Sequence, residues 1–316
     1  METETWTSAG IVDDTRKGLL DDPKWLSSLY FYDKTGSELF DAICDTPEYY
    51  PTRTEAAILE AHAAAILDAA GNHVVLAELG SGASRKTRIM LRALLAHGDR
   101  TYLPVDVSKR FLDDVAVGLR RDFPGLHVEP IAAEYRDGLK AIGNHDGQKL
   151  VMFLGSSLGN FEPEEQAQLM AAAHAALAPG DCFLLGTDLV KDPQVLHDAY
   201  NDAAGVTAAF NKNILANLNG KLDGDADLDA FEHHAFWNAD RSRIEMHLRS
   251  RTDQVLRFAG ADLEVTLAEG ETIHTENSYK FTIDGVRAMV EGAGWTLDQT
   301  WTDDQQWFGL HLLRRS

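Results

Sequence analysis

The chain has 316 residues, 44% of them hydrophobic, enough for one large core or two moderate ones, and two domains are expected. Its 29 basic residues against 50 acidic ones give a net charge of −21, which excludes the basic surface that nucleic acid or an anionic membrane requires and leaves a small-molecule substrate as the expected partner. Cys44 and Cys182, without any C-x-x-C spacing, exclude a disulfide framework and a cysteine-rich zinc site, and with no apolar run of 18 residues and no basic-then-apolar leader a cytoplasmic protein is expected.

Residues 1–54 carry a dense set of aromatics, Trp25, Tyr30, Phe31, Tyr32, Phe40, Tyr49 and Tyr50. Tyr30 to Asp33 followed by Gly36 predicts a turn beside a pocket. Pro47 to Glu55 predicts an extended approach to a helix ending at Ala70, with Thr54 as its N-cap.

The stretch VVLAELGSGASRKT, Val74 to Thr87, organises the rest of the chain. Its apolar run suits a strand buried on both faces, and Gly80-Ser81-Gly82 marks a turn where backbone can approach a ligand. Arg85 stands where the dinucleotide fingerprint has its third glycine, so a nucleoside without pyrophosphate, such as S-adenosylmethionine, is favoured over a nicotinamide dinucleotide. The next strand, 101–105, ends at Asp106, 24 residues after Gly82, a spacing that suits a ribose-binding carboxylate and equally an N-cap.

Strands near 74–79, 101–105, 126–131, 150–154 and 182–186 alternate with helices near 86–96, 108–122, 136–142 and 163–177, the pattern of a doubly wound α/β sheet. Glu134-Tyr135 follows the third strand, in place to meet an adenine ring or to form a solvated loop. Leu154 to Asn160 follows the fourth, where Gly155, Ser157 and Asn160 suit a loop that presents backbone and amide groups to a polar ligand, or a plain turn.

Past Asp188 the alternation stops. A helical pattern from Val195 to Leu218 and alternating runs at Arg243–Leu248 and Asp262–Leu267 predict an inserted second domain, with Asp223-Gly224-Asp225 and Glu269-Gly270-Glu271 as hairpin loops. The adjacent pair His233-His234 points apart on a strand, so no metal site is expected. A helix near Gly285–Glu291 and strands Trp295–Trp301 and Trp307–Leu313 complete the seven-stranded sheet common to S-adenosylmethionine-dependent methyltransferases.

The chain resembles the bacterial L-histidine Nα-methyltransferases of ergothioneine biosynthesis, the dimethylhistidine methyltransferase family, from about Lys24 onward. The resemblance rests on YFYDKTGSELFDAI, PEYYPTRTEA, LGSGASRKTR, FLGSSLGNF, LLGTDLVKD, AYNDAAGVTAAFN, RIEMHLR and TENSYKF. It implies a Rossmann-like class I methyltransferase sheet at 55–192 plus 281–316, a second α+β substrate-binding domain at 1–54 plus 193–280, and trimethylation of L-histidine to hercynine with S-adenosylmethionine as donor, without a metal, by a monomer.

The resemblance also implies roles for particular residues. Tyr32 lies near the substrate amine, Asn160 and Tyr200 hold the α-carboxylate and amine with Gly155 beside them, and Glu276 and Ser278 recognise the imidazole with Met246 packed nearby. On the donor side it implies Tyr49, Gly80, Ser81, Gly82, Lys86, Asp106, Glu134, Tyr135 and Ser157. The family often has Asp-Phe where this chain has Glu134-Tyr135, and a threonine where Ser157 stands; both acid and hydroxyl are kept.

Overall fold

The computed structural model describes residues 8–71, 75–82, 84–96, 98 and 100–315. Val74, the first residue of the predicted strand, lies outside them. In chain order the helices are α1 (Ser8–Leu20), α2 (Lys34–Cys44), α3 (Pro51–Ala70), α4 (Thr87–Leu95), α5 (Lys109–Asp122), α6 (Tyr135–Gly143), α7 (Pro163–Ala176), α8 (Pro193–Tyr200), α9 (Val206–Leu222) and α10 (Ile283–Gly292). The strands are β1 (Val75–Leu79), β2 (Arg100–Asp106), β3 (Leu126–Val128), β4 (Ile131–Ala132), β5 (Lys149–Phe153), β6 (Cys182–Asp188), β7 (Phe231–Asn238), β8 (Arg243–Ser250), β9 (Gln254–Phe258), β10 (Leu263–Leu267), β11 (Thr272–Tyr279), β12 (Thr296–Thr302) and β13 (Phe308–Arg314).

The described residues form two compact units: 51–190 with 280–315, and 8–50 with 191–279. In the first, the strands run in the order β12-β13-β6-β5-β1-β2-β3, with β4 also paired to β2. The β1, β2, β3, β5 and β6 pairings are parallel; β13 alone runs against them, and β12, antiparallel to β13, returns to their direction. Seven strand positions result, as the sequence predicts. The single strand expected at 126–131 is split at Glu129-Pro130, where proline has no N–H to continue a ladder.

Both faces of this sheet are covered. Leu76, Tyr102, Leu150, Met152, Leu184 and Leu312 point into one core, with Ile66, Met90 and Leu119 from α3, α4 and α5. Ala77, Leu79, Val105, Val151, Phe153 and Leu185 point into the other, with Leu139, Met170 and Val290 from α6, α7 and α10. Neighbours along each strand thus serve opposite cores, which is why the strands read as unbroken apolar runs.

The second unit combines α1, α2, α8 and α9 with a three-stranded antiparallel sheet, β11-β8-β7, and a two-stranded one, β10-β9. Four sequence expectations are corrected. The helix of 51–70 begins at Pro51, suited to a first turn because its missing N–H needs no partner there, so Thr54 is inside the helix and does not cap it. The helical pattern 195–218 is two helices, because Asp202 accepts from the N–H groups of Val206 (2.8 Å) and Thr207 (2.7 Å) and restarts the helix. Asp223, at φ 49°, terminates α9 and is not a hairpin loop. Glu269 to Glu271 joins strands of different sheets, so it is not a hairpin either.

Candidate functional site

In the first unit the parallel strands β1, β2 and β5 bring the glycine turn, Asp106 and the Gly155–Asn160 turn to one edge, beyond their carboxyl ends. Gly80 and Gly82 have φ of 65° and 45°, which an L side chain rarely adopts. A Cβ on Gly80 would sit 3.1 Å from the Tyr135 hydroxyl, so this glycine also lets Tyr135 lie against the turn. Asp106 accepts from the N–H groups of Gly82 (3.2 Å) and Ser108 (3.1 Å), tying the turn to the end of β2, and burial raises its pKa against those bonds.

Tyr135 packs edge-on against Phe153 (5.2 Å) and Phe161 (6.0 Å), and its phenol is pushed up to about 12 by burial and the nearby Asp106. Glu134 precedes it as the N-cap of α6, without a side-chain capping bond. The hydroxyl of Ser81 is buried with no hydrogen-bond partner among the described residues. A carboxylate at the end of β2, an aromatic wall and an unsatisfied hydroxyl fit the ribose, base and polar tail of a nucleoside donor.

Two buried acids support this edge, and neither is singled out by the sequence. Glu55 of α3 is fully buried, pairs with Lys86 Nζ, and accepts from the Gly155 N–H through both oxygens (2.9 Å each). Glu78 of β1 accepts from Thr87 Oγ1 (2.5 Å) and Tyr102 Oη (2.6 Å); burial raises its carboxyl to about 7 in spite of those bonds. Ser157 donates to the Leu154 carbonyl (3.0 Å), and Asn160 ends a short 3-10 turn that the sequence reads as a loop.

In the second unit, three buried asparagines of α9 hold its parts. Asn217 donates to the Tyr30 carbonyl (2.6 Å) and Asn213 to Asp33 Oδ1 (2.9 Å), fixing the turn that presents Tyr32. Asn211 donates to His233 Nδ1 (2.9 Å), so the other ring nitrogen, Nε2, donates to the Tyr200 carbonyl (2.8 Å) and anchors the end of α8. Tyr200 Oη in turn donates to Ser278 Oγ (2.6 Å).

Tyr32, Phe40, Tyr49, Phe210 and Tyr200 form a chain of ring contacts between 5.9 and 6.4 Å. Tyr49 is held protonated well above the usual phenol range, chiefly by burial and then by Tyr200, Cys44, Glu276 and Tyr32. A register shift between His274 and Glu276 sets Glu276 opposite Met246 and Ser278 opposite Ile244. With Thr275 as the extra residue, Ile273, Glu276 and Ser278 share the face of Met246 and Ile244.

Of the residues expected to hold substrate, Tyr32, Tyr200, Met246, Glu276 and Ser278 therefore belong to the second unit, while Gly155 and Asn160 belong to the first. Of those expected to hold the donor, Tyr49 alone belongs to the second unit. Phe210 joins the tyrosine cluster without having been singled out, and AYNDAAGVTAAFN, which contains it, is its sequence signal; Phe40 joins it from the aromatic set of residues 1–54.

A family model described as histidine-specific methyltransferase, SAM-dependent, where SAM is S-adenosylmethionine, matches residues 11–315. Histidine N-alpha-methyltransferase of Mycolicibacterium smegmatis is 48% identical over 96% of this chain and 94% of its own length. The protein of the same name from Mycobacterium tuberculosis is 44% identical over 95% and 93%. The mitomycin 7-O-methyltransferase MmcR matches in structure with a TM-score of 0.50 at 11% identity, over 91% of this chain and 60% of that one, a likeness of fold alone.

Proposed function

The chain belongs to the histidine-specific, SAM-dependent methyltransferases, and from that premise we propose that it methylates the α-amine of L-histidine three times to give hercynine, the first step of ergothioneine biosynthesis. The observation that carries the reading is the likeness to histidine N-alpha-methyltransferases along 96% of the chain. When bound, S-adenosylmethionine supplies an electrophilic methyl group on a sulfonium sulfur. In the first unit, Gly80, Ser81 and Gly82 leave room for its methionine part, Asp106 accepts from the ribose hydroxyls, and Glu134 and Tyr135 meet the base. Lys86 and Ser157 complete that edge, and Tyr49 is assigned to the donor from the second unit.

The acceptor is recognised chiefly by the second unit. Glu276 accepts from the imidazole N–H, Ser278 and Tyr200 bond to the substrate's polar groups, and Met246 packs on the ring. A site built around that hydrogen bond loses it when another amino acid enters, which gives selectivity. Gly155 and Asn160, on the first unit, are assigned to the α-carboxylate and amine.

An α-amine with a pKa near 8 is largely protonated at about pH 7, and it must lose a proton before it can attack. Tyr49, held protonated, serves as a hydrogen-bond donor. Tyr32, with 48% of its surface exposed, orients the amine and passes its proton to water.

The test is incubation with L-histidine and S-adenosylmethionine, reading product mass over time. Mono-, di- and trimethylhistidine should succeed one another. Methylation of another free amino acid in a panel, with histidine untouched, would overturn the assignment of substrate.

A further inference from the structure

The three-stranded sheet of the second unit has a face the reaction does not use. Along β8, Ile244, Met246 and Leu248 are buried on the side of Ser278 and Tyr200, so Arg243, Glu245 and His247 point the other way. On that opposite face the ladder register places His234, His247 and His274 side by side across the three strands. The rings of His247 and His274 stack at 4.7 Å, and Phe236 lies against His247 at 5.4 Å.

One ligand atom each from Glu245, His247 and His274 lies within 4.8 Å of the others. Glu245 Oε1 takes Arg243 Nε (2.8 Å) and Asn238 Nδ2 (2.8 Å), which orients the carboxylate and leaves Oε2 toward His247 Nε2 (3.2 Å). Arg243 is turned to the Tyr279 hydroxyl (2.7 Å) and packs over its ring. The other nitrogen of His247, Nδ1, is buried with no hydrogen-bond partner among the described residues. Neither nitrogen of this ring is therefore committed to a backbone group.

We propose that Glu245, His247 and His274 form a binding site for one zinc-class divalent cation on this face. Two imidazoles and a carboxylate make a donor set for zinc and its borderline neighbours, whereas magnesium and calcium require oxygen ligands. Zinc bonds of about 2.0–2.2 Å require the three ligand atoms to draw closer than they stand here. Small rotations of the two rings supply that movement, and three protein ligands leave a fourth position open to water. Arg243, beside Glu245, opposes the added charge and lowers the affinity for the cation.

The site also touches the substrate face through the backbone, because His274 Nε2 bonds to the Glu276 carbonyl (3.1 Å) at the bulge that aims Glu276. Zinc held by His274 fixes this ring and so the carbonyl of Glu276 behind it, and is expected to change histidine affinity; this consequence alone rests on the function proposed above.

Equilibrium dialysis of the full chain against zinc alone, with magnesium as comparison, tests the site without any reaction. One zinc per chain should bind, and Glu245→Gln and His247→Gln should each lower its affinity at least roughly tenfold in variants that circular dichroism shows to be folded at the assay temperature. The surface trio His127, Glu129 and His145 provides the control, and His127→Ala should leave zinc binding unchanged. No stoichiometric zinc in the wild type, or undiminished zinc in folded His247→Gln, would overturn the site. Should His247→Gln fail to fold, Glu245→Gln decides by the same criterion.

Discussion

Glu78 ties the stability of the first unit to pH. Its carboxyl is 4% exposed beneath the glycine turn, hydrogen-bonded by Thr87 and Tyr102, and raised from 4.5 to about 7 chiefly by burial. An acid whose pKa is raised by folding is bound more tightly to its proton in the native state. Below about pH 4.5 it is protonated in both states and costs nothing; as pH rises toward 7 the unfolded chain ionises first and stability falls; above 7 the loss is complete. Each tenfold in proton affinity is worth about 1.4 kcal/mol, so the full loss is roughly 3 kcal/mol.

Glu78→Gln keeps a carbonyl for Thr87 and Tyr102 but cannot ionise. Urea unfolding followed by tryptophan fluorescence, which includes the buried Trp295 of the same unit, is measured for both proteins between about pH 4.5 and pH 8. The variant should gain roughly 3 kcal/mol relative to the wild type across that interval, and groups common to both cancel in the difference. A difference that stays constant with pH would refute the reasoning, because Glu78 would then titrate alike in the folded and unfolded chain.

Three further outcomes rest on the same geometry. Lys86→Met leaves the Glu55 carboxylate buried beside the Gly155 N–H without its cation and should cost about 3–5 kcal/mol in urea unfolding, with Glu55→Gln in the same chain restoring most of it. Glu276→Ala should weaken histidine binding roughly a hundredfold by calorimetry with S-adenosylmethionine affinity retained, and unchanged histidine affinity would remove Glu276 from the substrate site. Gly36→Ala places a Cβ 1.6 Å from the Phe31 carbonyl, so the turn carrying Tyr32 must shift; a melting temperature equal to the wild type's would contradict that packing.

Element order in the first unit was legible because both kinds of element leave local marks. Apolar runs of five to seven residues, glycine turns and capped periodic helices are decided by neighbours in sequence, and the strand and helix alternation from Val75 to Asp188 results from them. The errors fall where a distant or competing polar group intervenes. Asp202 broke a helix by taking its N–H groups, and the turn at Glu269 to Glu271 resembled a hairpin because its composition does not reveal that its strands pair elsewhere. The residues of TENSYKF could be named from resemblance, yet the bulge that puts Glu276 and Ser278 on one face depends on pairing with β8.

The sequence by itself therefore determined the α/β class, the glycine turn and the carboxylate at the end of the next strand, since these depend on periodicity and on backbone preferences of single residues. Only the tertiary structure decided which polar groups meet. Glu55 reaches the Gly155 N–H across 100 residues and Tyr200 reaches Ser278 across 78, pairings set by strand order and helix packing. The same holds for the histidines of β7, β8 and β11, which are unremarkable one by one and become a row only when three strands align. Burial then raises the stakes of each meeting, because a charge or ring nitrogen removed from water must be answered by whatever the fold has placed beside it.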